Sequence, residues 1–136
     1  MIVLLDTDIL IDVATDRKPF AEYSAKILDE VENRRLQACI AWHSIANFFY
    51  LVSSISNAKL TRHFLIDLLK FVEVAKTTSE DAKYALSLKI TDLEDALQIA
   101  AAKACGAERI LTRNIEHYKN SPIMAQSPEM FIKVQF

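Results

Sequence analysis

The chain begins with a short apolar run that ends in an acidic residue. Residues Ile2 to Leu5 are uniformly apolar, and Asp6 follows them directly. A short run without polar alternation is typical of a central parallel strand buried on both faces. Further runs of this kind alternate with helical patterns along the chain. The sequence therefore predicts a three-layer α/β/α domain with a central, mainly parallel sheet of four to five strands.

The other predicted elements follow in order from residue patterns and caps. Strands are predicted at residues 37–41, 71–75, 109–112 and 123–125. Helices are predicted at residues 9–14, 21–33, 44–55, 59–70 and 93–105, with another capped by Thr77 or Thr78. Asp8 is expected to cap the first helix, Gly106 to end the one before the fourth strand, and Ser127-Pro128 to start a terminal turn.

Length and charge limit the possible classes of protein. The 136 residues predict a single domain, 1–136, and the formal net charge of -2 argues against a protein that coats nucleic acid by bulk positive charge. An enzyme that reaches nucleic acid through metal ions remains possible, since the metals supply local positive charge. No segment is apolar enough to predict a membrane span, and no secretory leader precedes the first strand. We therefore expect a cytoplasmic protein in which Cys39 and Cys105 are reduced core thiols.

Polar side chains from separate segments should meet at one edge of the sheet. Asp6 ends the first strand, Asn114 follows the fourth, and Asp92 and Asp95 open the helix that leads into the fourth. In open α/β sheets, ligands bind outside the carboxyl ends of the strands. Carboxylates gathered there repel one another unless a cation lies between them, which favours Mg²⁺ or Mn²⁺. A plainer interpretation stays open, in which Asp92 is an N-cap and Asp6 a solvated strand end.

Three motifs resemble those of the PIN domain family. They are residues 6–12 (DTDILID), 92–98 (DLEDALQ) and 111–114 (LTRN), and the resemblance covers almost the whole chain. The stretch from Asp92 to Phe131 resembles the bacterial branch that includes VapC-type toxins of toxin–antitoxin pairs. The resemblance implies a metal-dependent ribonuclease with Mg²⁺ or Mn²⁺ as cofactor and RNA as substrate. It also implies an antitoxin partner and a homodimer.

Site residues follow from the resemblance position by position. Asp6 and Asp95 match the family's metal-binding acids, and Asp92 matches an accessory acid one turn earlier. Asn47 and Asn114 stand where the family usually has acids, which replaces two charges by amide oxygens. We therefore expect one well-held metal and a second that binds only weakly or with substrate phosphate. Thr112 is expected to position water or a phosphate oxygen.

A few basic and aromatic residues are candidates for contacts with RNA. Arg113 is adjacent to the site in sequence, and Arg17 and Lys18 follow the first helix. The helical spacing of Trp42 and Tyr50 favours core positions over stacking on bases. The three histidines and two cysteines lack the spacing of a zinc site.

Two other functions are compatible with the sequence. The amides at Asn47 and Asn114 allow a catalytically inactive module of the same fold that binds RNA or an antitoxin. The Asp6-Thr7-Asp8 motif also resembles the nucleophile loop of haloacid dehalogenase-type phosphatases. That family typically has Gly near its acids, however, and Gly106 is the only glycine of this chain.

Overall fold

The computed structural model describes residues 1–136 and contains a five-stranded parallel sheet with the strand order β3-β2-β1-β4-β5. The strands are β1 (Ile2–Leu5), β2 (Gln37–Ile40), β3 (Glu73–Val74), β4 (Arg109–Leu111) and β5 (Ala125–Gln126). The helices are α1 (Thr7–Ala14), α2 (Ala21–Glu32), α3 (Trp42–Ile55), α4 (Ala58–Leu68), α5 (Ser79–Ser87), α6 (Leu93–Cys105) and α7 (Pro128–Gln135), with a 3₁₀ turn at Ile115–Tyr118.

Alternation along β1 divides the core into two layers, one on each face of the sheet. Val3 and Leu5 point into the larger cluster, which is completed by helices α1 to α4 and α7. Leu4 points to the opposite face, where it packs with Ile99 of α6. All three strand residues are fully buried, as a strand covered on both sides requires. The predicted three-layer α/β/α fold is confirmed.

Local signals explain where the helix before β4 begins and ends. The Asp92 carboxylate accepts a hydrogen bond from the Glu94 backbone N–H at 2.8 Å, which caps the first turn of α6. Gly106 follows the last turn with a φ of 74°, a left-handed conformation that glycine adopts without a steric penalty. Both ends lie where the sequence predicted them.

Three structural details differ from the sequence prediction. Helix α1 begins at Thr7 with Asp6 as its N-cap, two residues earlier than a helix capped by Asp8. The predicted terminal turn is the start of a full helix, α7, whose N-cap is Ser127. The strands β3 and β5 are only two residues long, because a strand at the edge of a sheet has one partner and its pairing ends early.

The expectation of reduced thiols is contradicted. Alternation along β2 directs Cys39 toward the α6 face of the sheet, and Cys105 lies in the last turn of α6. The two sulfurs are joined in a disulfide that bridges these elements, with the Cα atoms 6.9 Å apart. The two cysteines are 66 positions apart in sequence, so their proximity follows only from the packing of α6 on the sheet.

The prediction of core positions for two aromatic residues is also wrong. Trp42 is 72% exposed and Tyr50 is 76% exposed, although both lie on α3 at helical spacing. The buried face of this helix is formed instead by Ser44, Phe48 and Val52.

No helix is both long and apolar enough to cross a bilayer.

Candidate active site at the ends of strands β1 and β4

The site lies where the strand order reverses direction. From β1 the chain adds β2 and β3 on one side, and then returns to place β4 against the other side of β1. The crevice between β1 and β4 is therefore a topological switch point, where α/β sheets bind ligands. Asp6 and Thr112 directly follow these two strands, and the Asp6 N–H donates to the Leu111 carbonyl at 3.0 Å.

The Asp6 carboxylate is buried and surrounded by neutral donors. Its exposed fraction is 6%. Oδ1 accepts from the Thr7 backbone N–H at 2.7 Å and from Gln98 Nε2 at 3.3 Å. Oδ2 accepts from Thr112 Oγ1 and from the Tyr118 hydroxyl, both at 2.9 Å. No lysine, arginine or histidine pairs with it, so four donors hold the carboxylate without cancelling its charge.

Asp95 faces Asp6 across the Tyr118 hydroxyl. It lies in the first turn of α6 and is 9% exposed. Its Oδ1 lies 3.3 Å from the Tyr118 hydroxyl, and its Oδ2 lies 3.3 Å from Nδ1 of His117, an exposed side chain. Burial, reinforced by the charges of Asp6 and Asp92, raises the pKa of Asp95 above its ordinary value. The two carboxylates thus repel each other at close range.

Asp92 lies beside this pair rather than within it. Its side chain is exposed and caps α6. It lines an open cavity of about 350 Å³ together with Asp95 and His117, and two lysines, Lys89 and Lys119, lie in the same wall. No cluster of three or more acidic, histidine or cysteine side chains is placed to hold a metal ion. Asp6, Asp92 and Asp95 thus form no three-carboxylate cluster in this arrangement, although the charges of Asp6 and Asp92 both act on Asp95, and their shared role in a metal site stays a prediction.

A further carboxylate, Asp8, connects the site to the loop after β4. Its Oδ2 accepts from the Arg113 backbone N–H at 3.1 Å and from Asn114 Nδ2 at 3.0 Å, and it lies 3.2 Å from Thr112 Oγ1 as an alternative acceptor for that hydroxyl. Burial and the neighbouring Asp6 charge raise the pKa of Asp8 to about 7. Thr112 and Asn114 are thus at the site, where the sequence placed them, and Asn114 contacts Asp8 rather than Asp6 or Asp95.

The last two predicted residues have other positions. Asn47 is half-buried on α3 and makes no side-chain hydrogen bond. Arg113 points away from the cavity, since its Nε donates to the fully buried Asp12 at 2.6 Å and its guanidinium lies 4.7 Å from the Phe20 ring centroid. Its expected contact with RNA is therefore not favoured. Arg17 and Lys18 are exposed, and Arg17 also lies over the Phe20 ring.

The comparison with known families now decides between the two sequence resemblances. A family model described as PIN domain matches residues 2–116. The chain belongs to the PIN domain family. The phosphatase interpretation of the Asp6-Thr7-Asp8 motif is left without support. Among curated proteins, none matches the chain significantly.

Solved structures share the fold of this PIN domain at low sequence identity. The VapBC2 complex from Rickettsia felis, bound to a DNA fragment from its promoter, contains a chain with a TM-score of 0.71 and 20% identity, covering 93% of this chain and 98% of that one. A chain of VapBC-1 from nontypeable Haemophilus influenzae has a TM-score of 0.69 and 16% identity, over 95% and 99%. Mycobacterium tuberculosis VapC20, a sarcin-ricin loop cleaving toxin, has a TM-score of 0.63 and 12% identity, over 79% and 86%.

Besides Asp8, four polar residues of the PIN domain site were not predicted as site residues from the sequence. They are Thr7, Ser44, Gln98 and Tyr118. Gln98 Nε2 bonds the Ser44 hydroxyl at 2.9 Å and the Thr7 hydroxyl at 3.2 Å, which links three elements beneath Asp6. One signal was available, because Gln98 lies three residues after Asp95 in an otherwise Ala-rich stretch and so shares its helix face. Tyr118 gave no such signal, since a lone tyrosine in a turn is common.

The donor set is suited to a hard divalent cation. Asp6 and Asp95 offer carboxylate oxygens from two elements, and no thiolate or closely paired imidazoles compete with them. Mg²⁺ typically keeps several waters and binds through one or two carboxylates plus substrate phosphates. Two carboxylates with a cavity beside them meet that requirement. The residues therefore fit one Mg²⁺ or Mn²⁺ held by Asp6 and Asp95.

Proposed function

We propose that this PIN domain is a Mg²⁺- or Mn²⁺-dependent endoribonuclease that hydrolyses RNA phosphodiester bonds, as the toxin of a toxin–antitoxin pair. The observation that carries the proposal is the pair of buried carboxylates, Asp6 and Asp95, facing each other across one hydroxyl without a lysine or arginine partner. Burying two like charges is costly, and a fold retains such a pair most readily where a cation joins them.

Each side chain has a role that follows from its contacts. A bound divalent cation supplies Lewis acidity and lowers the pKa of an attacking water. Asp6 and Asp95 would hold that cation, while Gln98 and Thr112 fix the Asp6 oxygens. Asp92, at the rim of the cavity, orients water, and Lys89 and Lys119 in the same wall attract the phosphates of the RNA. Asn114 holds Asp8 at the margin of the site, and Asn47 stays a candidate for contact with the substrate.

The proposed partners rest on the exposed surface and on the solved relatives. Large apolar side chains on α3 and α4 are exposed, namely Trp42, Tyr50, Leu51, Ile55, Leu60 and Ile66. Exposed apolar surface of this kind is typical of protein interfaces. Two of the solved relatives are VapBC complexes. We infer an antitoxin partner and a homodimer in the cytoplasm.

RNA cleavage with matched variants tests the enzymatic proposal. We expect the wild-type chain to cleave total RNA in the presence of Mg²⁺ or Mn²⁺ and not in EDTA. Asp95→Asn should remove cleavage, because it deletes a metal ligand and keeps the size of the side chain. Asp29→Asn is the control, since this exposed carboxylate has no side-chain partner. Equal cleavage by both variants would contradict the proposal.

A second candidate is a module that binds RNA or an antitoxin without cutting. It is favoured by the lack of a third metal-binding side chain beside Asp6 and Asp95. Calorimetric titration with Mn²⁺, followed by the same cleavage assay, separates the two functions. RNA binding without cleavage at saturating Mn²⁺ would favour the module.

A further inference from the structure

The Tyr118 hydroxyl lies in the space between the two carboxylates of the site. It is 2.9 Å from Asp6 Oδ2 and 3.3 Å from Asp95 Oδ1. The side chain is 3% exposed, and its ring packs in the core beneath α6. Packing therefore holds the hydroxyl against two of the carboxylate oxygens that a cation would use, Asp6 Oδ2 and Asp95 Oδ1.

The acceptor capacity of Asp6 is already used in full. A carboxylate offers about four lone-pair directions. Four donors take them, namely Thr7 N–H and Gln98 Nε2 at Oδ1, and Thr112 Oγ1 and the Tyr118 hydroxyl at Oδ2. A direct bond from Asp6 to a metal ion therefore requires one of these donors to leave.

Tyr118 is the donor whose hydrogen bond, once given up, frees Asp6 Oδ2 on the side that faces Asp95. Of the four, it alone also contacts Asp95, so it alone stands between the two proposed ligands. It also has an alternative acceptor within reach, because its single O–H can turn from Asp6 Oδ2 to Asp95 Oδ1. Thr112 and Gln98 have alternative acceptors too, but these lie on Asp8, Thr7 and Ser44, away from Asp95.

We propose that Tyr118 is a positioning residue whose hydroxyl competes with a divalent cation for Asp6 Oδ2 and gives up that hydrogen bond when the ion binds. The inference rests on the proposed metal site. Its consequence is a weakened affinity for metal, because the hydroxyl stabilises the two carboxylates when no ion joins them. Removing the hydroxyl should therefore favour the ion.

Metal binding by two tyrosine variants tests this competition. Full-length wild-type protein, Tyr118→Phe and Tyr84→Phe are stripped with EDTA and titrated with Mg²⁺ in a calorimeter. Tyr118→Phe should bind Mg²⁺ about tenfold more tightly, since a hydrogen bond to a charged group is lost only from the ion-free protein. Tyr84→Phe is the matched control, because this half-buried tyrosine has no hydroxyl hydrogen bond and should bind as the wild type does.

Ultraviolet difference spectra give a second measurement that a merely structural role would not change. Mg²⁺ should alter the tyrosine absorbance of the wild type as the Tyr118 hydroxyl changes its hydrogen bond. The change should be absent in Tyr118→Phe and present in Tyr84→Phe. In EDTA, Tyr118→Phe should also melt at a lower temperature than the wild type, and saturating Mg²⁺ should narrow the difference.

The outcomes separate this inference from the proposed function. Mg²⁺ affinity that is unchanged or weaker in Tyr118→Phe would overturn the competition, because the hydroxyl would then support Asp6 as a ligand instead. RNA cleavage by the wild type would still support the nuclease in that case. Failure of both the wild type and Tyr118→Phe to bind Mg²⁺ would overturn both ideas. Tighter binding by Tyr118→Phe without any RNA cleavage by the wild type would support the competition and reject the nuclease.

Discussion

Two buried aspartates on the same stretch of chain, Asp6 and Asp12, are stabilised in different ways. Asp12 is fully buried, and its Oδ2 accepts a 2.6 Å hydrogen bond from the charged guanidinium of Arg113. Asp6 is almost as deeply buried but accepts hydrogen bonds only from a backbone amide, a side-chain amide and two hydroxyls. Asp12 is thus paired with a positive charge, whereas Asp6 receives hydrogen bonds from neutral groups alone.

The difference assigns the two residues to different tasks. The Asp12–Arg113 pair fastens α1 to the loop after β4, and the same arginine presents its backbone N–H to Asp8. The charges of Asp12 and Arg113 therefore compensate each other within the fold. The Asp6 charge remains uncompensated beside Asp95, which is the state that favours a cation. A buried aspartate therefore indicates a functional site only after its partners are known.

The largest effect is expected when each of the two aspartates is exchanged for asparagine. RNA cleavage should be lost in Asp6→Asn and retained in Asp12→Asn. Asp6→Asn should lower RNA cleavage about a hundredfold or more, because metal-ion stabilisation amounts to several kcal/mol. Asp12→Asn should retain cleavage per folded molecule. Urea denaturation of both variants separates loss of activity from loss of folding. Equal rates of RNA cleavage by Asp6→Asn and Asp12→Asn would show that Asp6 has no special role in catalysis.

Breaking the buried ion pair should have the next largest effect, and this effect should fall on stability. Asp12→Ala should lower the free energy of unfolding by about 3 kcal/mol, because it leaves the Arg113 guanidinium without its partner. The double variant Asp12→Leu/Arg113→Met should recover much of that loss, since an apolar pair needs no compensation. A loss below about 1 kcal/mol would mean that the pair behaves like one on the surface.

Metal addition should stabilise the Asp6 region and leave the Asp12 pair unaffected. Mg²⁺ at a hundred times its dissociation constant should raise the free energy of unfolding of the wild type by about 2.7 kcal/mol. The gain should vanish in Asp6→Asn and persist in Asp29→Asn. Thermal melting with and without EDTA measures it, and an equal gain in Asp6→Asn would place the metal elsewhere.

The smallest expected effect is a pH dependence that originates at Asp8. Its pKa is raised from 3.8 to about 7 by burial and by Asp6, so the folded protein binds a proton that the unfolded chain releases. Its contribution to stability is complete below about pH 4 and is lost as pH rises through about 7. In EDTA, Asp8→Asn should therefore gain stability over the wild type on going from pH 5 to pH 8, by a few degrees in melting temperature. A constant difference across that range would contradict the raised pKa.

The sequence predicted the α/β class and most of the elements because the signals for them are local. Apolar runs such as Ile2–Leu5, the Asp92 cap and Gly106 each specify one element, and their alternation specifies the α/β class. The predicted convergence of Asp6, Asn114 and the start of α6 follows from the rule for strand ends, which needs only the order of elements. These inferences required no contact between distant residues.

The partners of buried polar groups could not be predicted from local signals. Tyr118 meets Asp6 across 112 positions, and this contact leaves no local pattern, while Gln98 meets Asp6 across 92 positions and only its place on the helix face of Asp95 gave a signal. The exposure of Trp42 and the Cys39–Cys105 disulfide also depend on which helix packs against which face.

By itself, the sequence determined the fold class, the edge of the sheet that carries the site and the acidic character of that site, because periodicity and capping act within a few residues. Only the tertiary structure decided which carboxylates have a positively charged partner, since that depends on the distant side chains that packing brings against them. Arg113 neutralises Asp12, whereas Asp6 receives neutral donors and a tyrosine hydroxyl that it shares with Asp95.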